Sequence, residues 1–283
     1  KAMIATIGMV FIVVILNPIF IFGLKMGMRG SALATVLSQG IMLCYQLHHF
    51  YNKNNCIYFQ KGIFKLRWNM ISKMMSIGLS PFFMNLTACM VVIIITNSLT
   101  RYGGDVAVGA YGIINRFLFF FVMIVIGLMQ GMQPIVGYNF GAKLYNRAFK
   151  ALKLSIMFAT FISVIGFLLG EFFPDMITSM FTTDKQLTEI AASGMRIMMM
   201  AVPLLGIQVI STGFFQSIGY VKTAIFLSLL RQLILIIPAL LVFPLFFGLN
   251  GIWMSIPVSD TLATIISVTI LIYNYRQLKK LAN

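Results

Sequence analysis

The chain has 283 residues, of which 60% are hydrophobic and only 10% are charged, and its mean hydropathy is +0.95. Soluble domains carry about a quarter charged residues, so this composition excludes an ordinary soluble domain and predicts a membrane protein. The formal net charge of +15 would suit a nucleic-acid-binding protein. The basic residues collect on one predicted side of a membrane, however, and this removes the need for a nucleic-acid partner.

Apolar runs of roughly 20 residues, long enough to cross a bilayer, follow one another along the chain. They are continuous rather than alternating, so they predict helices and not barrel strands. The runs occupy about residues 3–24, 30–51, 74–99, 107–136, 149–170, 192–216, 223–247 and 252–274. The predicted fold class is an all-α polytopic membrane protein.

The charges between the runs predict the orientation. One side collects Lys1, Lys53, Lys61, Lys65, Arg67, Lys73, Lys143, Arg147, Lys150, Lys153, Lys222, Arg276, Lys279 and Lys280. The other side holds few basic residues and most of the acids, namely Asp105, Glu171, Asp175, Asp184 and Glu189. The positive-inside rule places the first side, and with it both ends of the chain, in the cytoplasm. We therefore expect a multi-pass protein of the inner (plasma) membrane.

Two stretches indicate an internal repeat. Residues 26–40 read MGMRGSALATVLSQG and residues 247–261 read FGLNGIWMSIPVSDT, so that Gly27 aligns with Gly248 and Gly30 with Gly251 at an offset of about six spans. Two six-helix halves in parallel are a known transporter construction. Because the chain starts at Lys1, we expect it to lack roughly the first four of about twelve helices.

Few charged residues lie within the predicted spans, and Asp260 is the only acid among them. Intramembrane charges usually face the interior of a bundle, so we expect Arg231 or Arg116 to compensate Asp260 in a polar network. An estimate from helical rise brings Arg231 and Asp260 only loosely to the same depth. Either the pair locks two helices together or Asp260 couples transport to a proton or sodium ion.

Uncharged polar residues are more numerous in the spans, and Met and Phe are abundant, with 21 and 26 residues. Met and Phe suit an adaptable apolar cavity, although ordinary helix packing would also use them. The polar residues that we expect to line a substrate cavity are Asn85, Asn115, Gln208 and Gln216.

The segment GLMQGMQPIVGYNFGAK, residues 127–143, resembles a stretch of the multidrug and toxic compound extrusion (MATE) transporters. Further similar stretches are LNPIFIFGLKMGMRGSALATVLSQ, YGGDVAVGAYGIINR, FFQSIGY, LSLLRQLILIIP and GLNGIWMSIPVSD, so the resemblance covers essentially the whole chain. It implies a two-lobed bundle of twelve helices when intact, in agreement with the repeat. The implied branch is that of the DNA-damage-inducible and staphylococcal-type pumps.

In residues 127–143 we expect a cytoplasmic gate or hinge, although a plain helix ending would also use glycine and proline. Amides of Gln130, Gln133 and Asn139 would lie where the helix meets the cytoplasm. Pro134 and Gly137 are expected to break or bend the helix, and Gly141 to allow a tight turn.

The best-known branch of the family has acids in its seventh and tenth helices that bind the coupling cation. Here the corresponding places hold Asn85 and Gln208. The resemblance therefore leaves Na⁺ and H⁺ open as coupling ions. The spacing of the cysteines suggests no metal site, and we expect no cofactor.

By this resemblance the domains are residues 1–52, the last two helices of the N-terminal lobe; 53–73, a basic linker; 74–275, the C-terminal lobe; and 276–283, a cytoplasmic tail.

The expected function is antiport that exports organic cations or drugs by alternating access. A lipid-linked saccharide flippase of the same superfamily is the alternative, and a scaffold or receptor is disfavoured by the repeat. No enzymatic motif is present, so we expect no catalysis. The expected partners are a cationic or amphipathic small molecule and the bilayer, with the protein a monomer.

Overall fold

The computed structural model describes residues 2–51 and 68–282, and every regular element in these ranges is a helix. The all-α prediction is confirmed. The chain divides into two compact units, residues 1–72 and 73–283. The predicted linker of residues 53–73 lies largely outside the described residues.

In the first unit, α1 (Ala2–Pro18) continues into a π-helical segment, Ile19–Gly23, and α2 covers Gly27–Tyr51. The turn between them passes through two residues with left-handed backbone, Lys25 (φ 52°) and Gly27 (φ 54°). A Cβ atom added at Gly30 would lie 2.8 Å from the carbonyl oxygen of Phe20. Only glycine therefore allows α2 to pack so closely against the segment before it.

Helix α3 (Trp68–Gly141), which belongs to the second unit from Lys73 onward, consists of two arms that meet at Gly104, where φ is 66° and ψ is −167°. Ile95 and Leu99 of the first arm share a buried cluster with Ile114 of the second arm. A straight helix would hold Ile95 and Ile114 nearly 30 Å apart at about 1.5 Å per residue, so the arms must pack side by side.

Five α-helices lie between α3 and the π-helical segment at Leu230–Ile236. They are α4 (Tyr145–Phe172), α5 (Pro174–Ser179), α6 (Lys185–Met199), α7 (Val202–Ser217) and α8 (Val221–Leu229). The side chain of Asp184 caps α6 by accepting a hydrogen bond from the backbone N–H of Gln186 over 2.9 Å. A Cβ atom added at Gly206 would lie 2.9 Å from the carbonyl oxygen of Ala159, so α7 packs closely on α4.

A second π-helical segment, Leu230–Ile236, joins α8 to α9 (Ile237–Ala282). Helix α9 also has two arms, which meet at Gly248 with φ 55° and ψ −132°. Buried side chains form two clusters in this unit, one around Trp253 and Met195 and the other around Phe214 and Leu227. The helices thus surround an apolar interior into which few charged groups enter.

Within the described residues, four helical stretches are long and apolar enough to cross a membrane, or five if the bent pair α6–α7, with an angle of 52°, is one span. Two of them have 57 and 55 residues and contain the breaks at Gly104 and Gly248. At about 1.5 Å per residue each is over twice the thickness of a bilayer core, so each divides into two spans. The predicted run 30–51 is helical but is not among these stretches, since α2 contains polar residues such as Gln39 and Gln46.

Candidate functional site

A bidentate ion pair joins the π-helical segment 230–236 to the second arm of α9. The Arg231 Nε donates to Asp260 Oδ1 over 2.6 Å, and Arg231 Nη2 donates to Oδ2 over 3.1 Å. The Asp260 side chain is 5% exposed and that of Arg231 is 24% exposed. Two parallel charge-assisted hydrogen bonds are the strongest arrangement available to these groups, and they neutralise the Asp260 carboxylate inside the bundle.

The break at Gly248 brings the two residues together. After this turn, Gly251 lies directly against the backbone carbonyl of Phe243, so the two arms of α9 run close to each other. The contact between Arg231 and Asp260 is therefore direct, whereas the estimate from helical rise expected only loose proximity. Arg116, the other predicted partner, has an exposed side chain and forms no ion pair among the described residues.

The backbone around Arg231 is itself unusual. In a π-helix the N–H of residue i+5 donates to the carbonyl of residue i, and such short segments in α-helices frequently mark functional sites. Next to Arg231, the side-chain oxygen of Gln232 is buried and has no hydrogen-bond partner among the described residues. The hydroxyl of Thr264 donates to the backbone oxygen of Asp260 over 2.7 Å. The backbone of Asp260 thus accepts a further polar contact, and the residue after Arg231 carries an unsatisfied acceptor.

A second polar contact joins α3 to α7. The Gln133 Nε2 donates to Gln216 Oε1 over 3.2 Å. Nearby, a Cβ atom added at Gly137 would lie 3.4 Å from the backbone oxygen of Ser217. A predicted gate residue and a predicted cavity residue therefore touch each other, at the end of the bundle where the charge pattern predicts the cytoplasm.

Neither Pro134 nor Gly137 breaks the helix, because α3 continues to Gly141; the bend expected at these residues stays a prediction. Pro134 removes only one donor from the ladder, on an exposed part of the helix. The tight turn follows instead at Lys143, whose φ is 61°. There the N–H of Leu144 donates to the carbonyl of Asn139 over 2.8 Å, and that of Lys143 to Phe140 over 3.0 Å, which is a Schellman motif.

The other gate residues make local or solvent-facing contacts. The Asn139 side chain donates to the backbone oxygen of Ile135 over 2.8 Å, one turn earlier on its own helix. Gln130 and Gly141 are exposed. Of the predicted gate residues, Gln133 is the one for which the described part of the chain shows a side-chain hydrogen bond to another helix.

The structure does not give the four predicted cavity residues a common environment. Asn85 and Asn115 are exposed, and Gln216 is half-buried against Gln133. Gln208 is 3% exposed, and its side-chain oxygen has no hydrogen-bond partner among the described residues. An acceptor buried without a partner is costly, so Gln208 is the member whose burial most needs an explanation.

Sequence reasoning missed the contact between Gln133 and Gln216, since the two residues are 83 positions apart. It also assigned no role to Gly127 and Gly131, which line one face of α3 beside Arg147 and Lys150 of α4. The four-residue spacing of the two glycines, on one helical face, was a signal that could have been used.

Comparison with known proteins identifies the family. Residues 81–241 match the family model described as MatE. The chain belongs to the MatE family. This confirms the resemblance to the MATE transporters, and the match falls in the unit that holds the Arg231–Asp260 pair.

Relatives and a solved structure agree with this assignment. Over 271 residues the chain is 29% identical to the multidrug export protein MepA of Staphylococcus aureus strain MSSA476, covering 95% of this chain and 59% of MepA. It is 29% identical to MepA of Staphylococcus haemolyticus strain JCSC1435, covering 98% and 61%. The chain therefore spans about three fifths of the length of these curated relatives.

The fold is shared with an outward-facing structure of a multidrug resistance MATE family transporter of the MOP superfamily. The TM-score is 0.88 at 20% sequence identity, and the match covers 99% of this chain and 63% of the other. The predicted MATE-like fold class is thereby confirmed, and the chain is a multi-pass membrane protein.

Proposed function

We propose that the full-length protein is a secondary active antiporter in the plasma membrane. It exports organic cations and other amphipathic drugs in exchange for Na⁺ or H⁺, by alternating access between two lobes. It acts as a monomer, without catalysis and without a cofactor, and both ends of the present chain lie in the cytoplasm.

The observation that carries this proposal is the similarity to MepA, named a multidrug export protein, along 95% of the chain. The lipid-linked saccharide flippase is not favoured, since neither the family model nor these relatives bear that name. A charged pair inside an otherwise apolar bundle also supports a transporter, because such groups often belong to ion or substrate pathways.

The test is export by the full-length protein in cells that lack their own drug pumps. Accumulation of a fluorescent organic cation is followed while the sodium and proton gradients are collapsed in turn. We expect low accumulation that rises when one of the two gradients is lost, and that gradient names the coupling ion. Accumulation equal to that of cells without the protein, under every condition, would contradict drug export.

Two roles remain for the pair Arg231–Asp260, a lock between helices and a site of ion coupling. The double variant Arg231→Met with Asp260→Leu separates them, because replacing both members of a buried pair by apolar residues is often neutral for stability. If the pair is a lock, the double variant folds and still exports the dye. If Asp260 couples transport to an ion, the double variant folds but loses gradient-driven export.

We further propose that the contact between Gln133 and Gln216 is part of the cytoplasmic gate, as opposed to a plain helix ending. Cysteines at these two positions, in a background without Cys44, Cys56 and Cys89, can be joined by a short bifunctional reagent. Joining them should stop export, and the two single-cysteine variants treated alike should export normally. Full export by the joined protein would show that the contact need not open.

Among the residues predicted to line a substrate cavity, Asn85, Asn115, Gln208 and Gln216, we propose that the buried Gln208 contacts the substrate. The variant Gln208→Met keeps the size of the side chain and removes the unsatisfied oxygen. If that oxygen receives a hydrogen bond from substrates, export of donor-bearing cations should fall several-fold while export of purely apolar cations is kept. An equal effect on both classes would argue for a packing role.

A further inference from the structure

A groove of about 830 Å³ runs between the second arm of α3 and α4. One wall is a single face of α3 and the other is a single face of α4, with residues spaced three or four apart along each helix. The α3 wall contains Ile124, Gly127, Leu128, Gly131, Met132 and Ile135. The α4 wall contains Arg147, Lys150, Ala151, Leu154 and Ser155.

Two glycines keep this groove open. A Cβ atom added at Gly127 or at Gly131 would meet no other atom within 4 Å. The missing side chains therefore leave empty space rather than a close helix contact. In a bilayer, an apolar groove of this kind is filled by a group that makes van der Waals contacts along its length. The acyl chains of the surrounding lipids are such groups.

The groove is basic at one end. Arg147 and Lys150 lie in the first two turns of α4, and both are exposed. Among the described residues the ion pairs are Arg196 with Asp175 and Arg231 with Asp260, so no carboxylate neutralises either cation. A second groove of about 460 Å³ on the other side of α4 shares Lys150 and adds Lys153. Positive charge is therefore concentrated at this end of α4.

The length of the groove matches an acyl chain. From Ile135 to Ile124 the groove follows α3 for about 16 Å, at a rise of about 1.5 Å per residue. One leaflet of a bilayer has a hydrocarbon depth of about 15 Å. The basic end lies on the side that the charge pattern predicts to be cytoplasmic, where anionic lipids attract juxtamembrane cations.

We propose that this groove binds an anionic phospholipid of the cytoplasmic leaflet. The lipid phosphate lies against Arg147 and Lys150, and one acyl chain follows the space above Gly131 and Gly127. Opposite charge at one end and an apolar trough of leaflet length favour this occupant over a neutral lipid or a soluble anion. The site is separate from the pair Arg231–Asp260 and does not depend on the transported substrate.

The experiment measures binding of phosphatidylglycerol and of phosphatidylcholine with identical acyl chains to the full-length protein in detergent, by native mass spectrometry. We expect a preference for phosphatidylglycerol of roughly 25-fold, since each of the two basic residues near the lipid headgroup contributes about fivefold. The double variant Arg147→Gln with Lys150→Gln should reduce this preference to about one. A Lys222→Gln variant is the matched control, and it should keep the preference.

The apolar part is tested separately by Gly131→Leu, which fills the groove where the structure has space for it. This variant should lose the bound lipid although both cations are intact. Gly112→Leu is its control on the same arm of α3, because a Cβ there also meets nothing within 4 Å, and Gly112 does not line the groove. Thermal unfolding of both variants shows that they are folded.

Three results would overturn the proposal. Equal binding of the two lipids by the unmodified protein would indicate ordinary lipid contact. Competition by soluble glycerol phosphate as strong as that by the lipid would indicate an anion site without an acyl-chain groove. Lipid binding unchanged by Gly131→Leu, with the variant folded, would place the lipid elsewhere.

Discussion

The turn before α2 and the turn inside α9 use glycine in the same two ways. Gly27 has φ 54° and Gly248 has φ 55°. Three residues later, Gly30 and Gly251 each pack against the backbone carbonyl of a phenylalanine in the preceding segment. In both stretches the following helix also buries a serine, Ser38 in the first and Ser259 in the second. The two stretches that the predicted repeat aligns thus share a glycine with positive φ, a glycine packed on a backbone carbonyl and a buried serine.

The two copies differ in their polar chemistry. At the same offset, Asp260 aligns with Gln39, and Arg231 aligns with Val10. Gln39 and Val10 are exposed in their own unit, whereas Asp260 is buried and paired with Arg231. Since the first turn forms without a charged pair, the pair is not needed to make the turn. It is a feature added to one copy.

The largest expected effect comes from breaking that added feature. The variant Asp260→Ala leaves the Arg231 guanidinium largely buried without a counter-charge, which costs roughly 3 kcal/mol or more. The aligned variant Gln39→Ala should change stability by no more than about 0.5 kcal/mol, because it lies on an exposed surface. Thermal unfolding of the full-length protein in detergent measures both. Similar losses of stability for the two variants would mean that Asp260 stabilises its copy no more than the exposed Gln39 stabilises the other.

The sequence was sufficient for the predicted helical spans other than residues 30–51, because runs of about 20 apolar residues have few alternatives in a membrane. It also placed Asp260 as the intramembrane acid and offered Arg231 as one of two partners. It could not choose between Arg231 and Arg116, since that choice depends on how the arms of α9 pack after Gly248. The sequence predicted the turn after α3 at Gly141, because glycine is the usual left-handed residue at the end of a helix. The structure has the positive φ at Lys143 instead, two positions later.

The next effect in size concerns the close packing that the two copies share. Gly30→Ala and Gly251→Ala each place a methyl group against a backbone carbonyl, which cannot move aside as a flexible side chain can. We expect each to cost about 1–3 kcal/mol, the range for overpacking. Unfolding midpoints in detergent compare them with Gly40→Ala, where the added Cβ has no neighbour within 4 Å. A loss of stability at Gly251 without a loss at Gly30 would mean that the two copies share their glycine spacing but not their close backbone packing.

The backbone of the turns gives a smaller effect. Gly27→Ala and Gly248→Ala meet no steric neighbour within 4 Å, so their cost is that of a backbone with positive φ in a residue with a Cβ, at least about 1–2 kcal/mol. The loss at Gly248 should be the larger or equal one, because Gly248 combines φ 55° with ψ −132°, a conformation that is essentially restricted to glycine. Unfolding midpoints measured side by side test this. Stabilisation by either variant, as expected for alanine in an ordinary helix, would contradict the left-handed geometry at that position.

The smallest effect separates the two turns. The first turn contains a second left-handed residue, Lys25 with φ 52°, and the aligned residue of the second turn is Phe246, for which the structure has no positive φ. Lys25→Gly should relieve the strain but increase the entropy of the unfolded chain, for a net gain of roughly 0.5 kcal/mol. Phe246→Gly relieves nothing and should lose up to about 1 kcal/mol, the cost of glycine within a helix. Opposite signs in the two unfolding midpoints are the expected result. A loss at both positions would mean that Lys25 is stabilised by contacts that outweigh its backbone strain, and the first turn would then be built differently from the second despite their shared glycines.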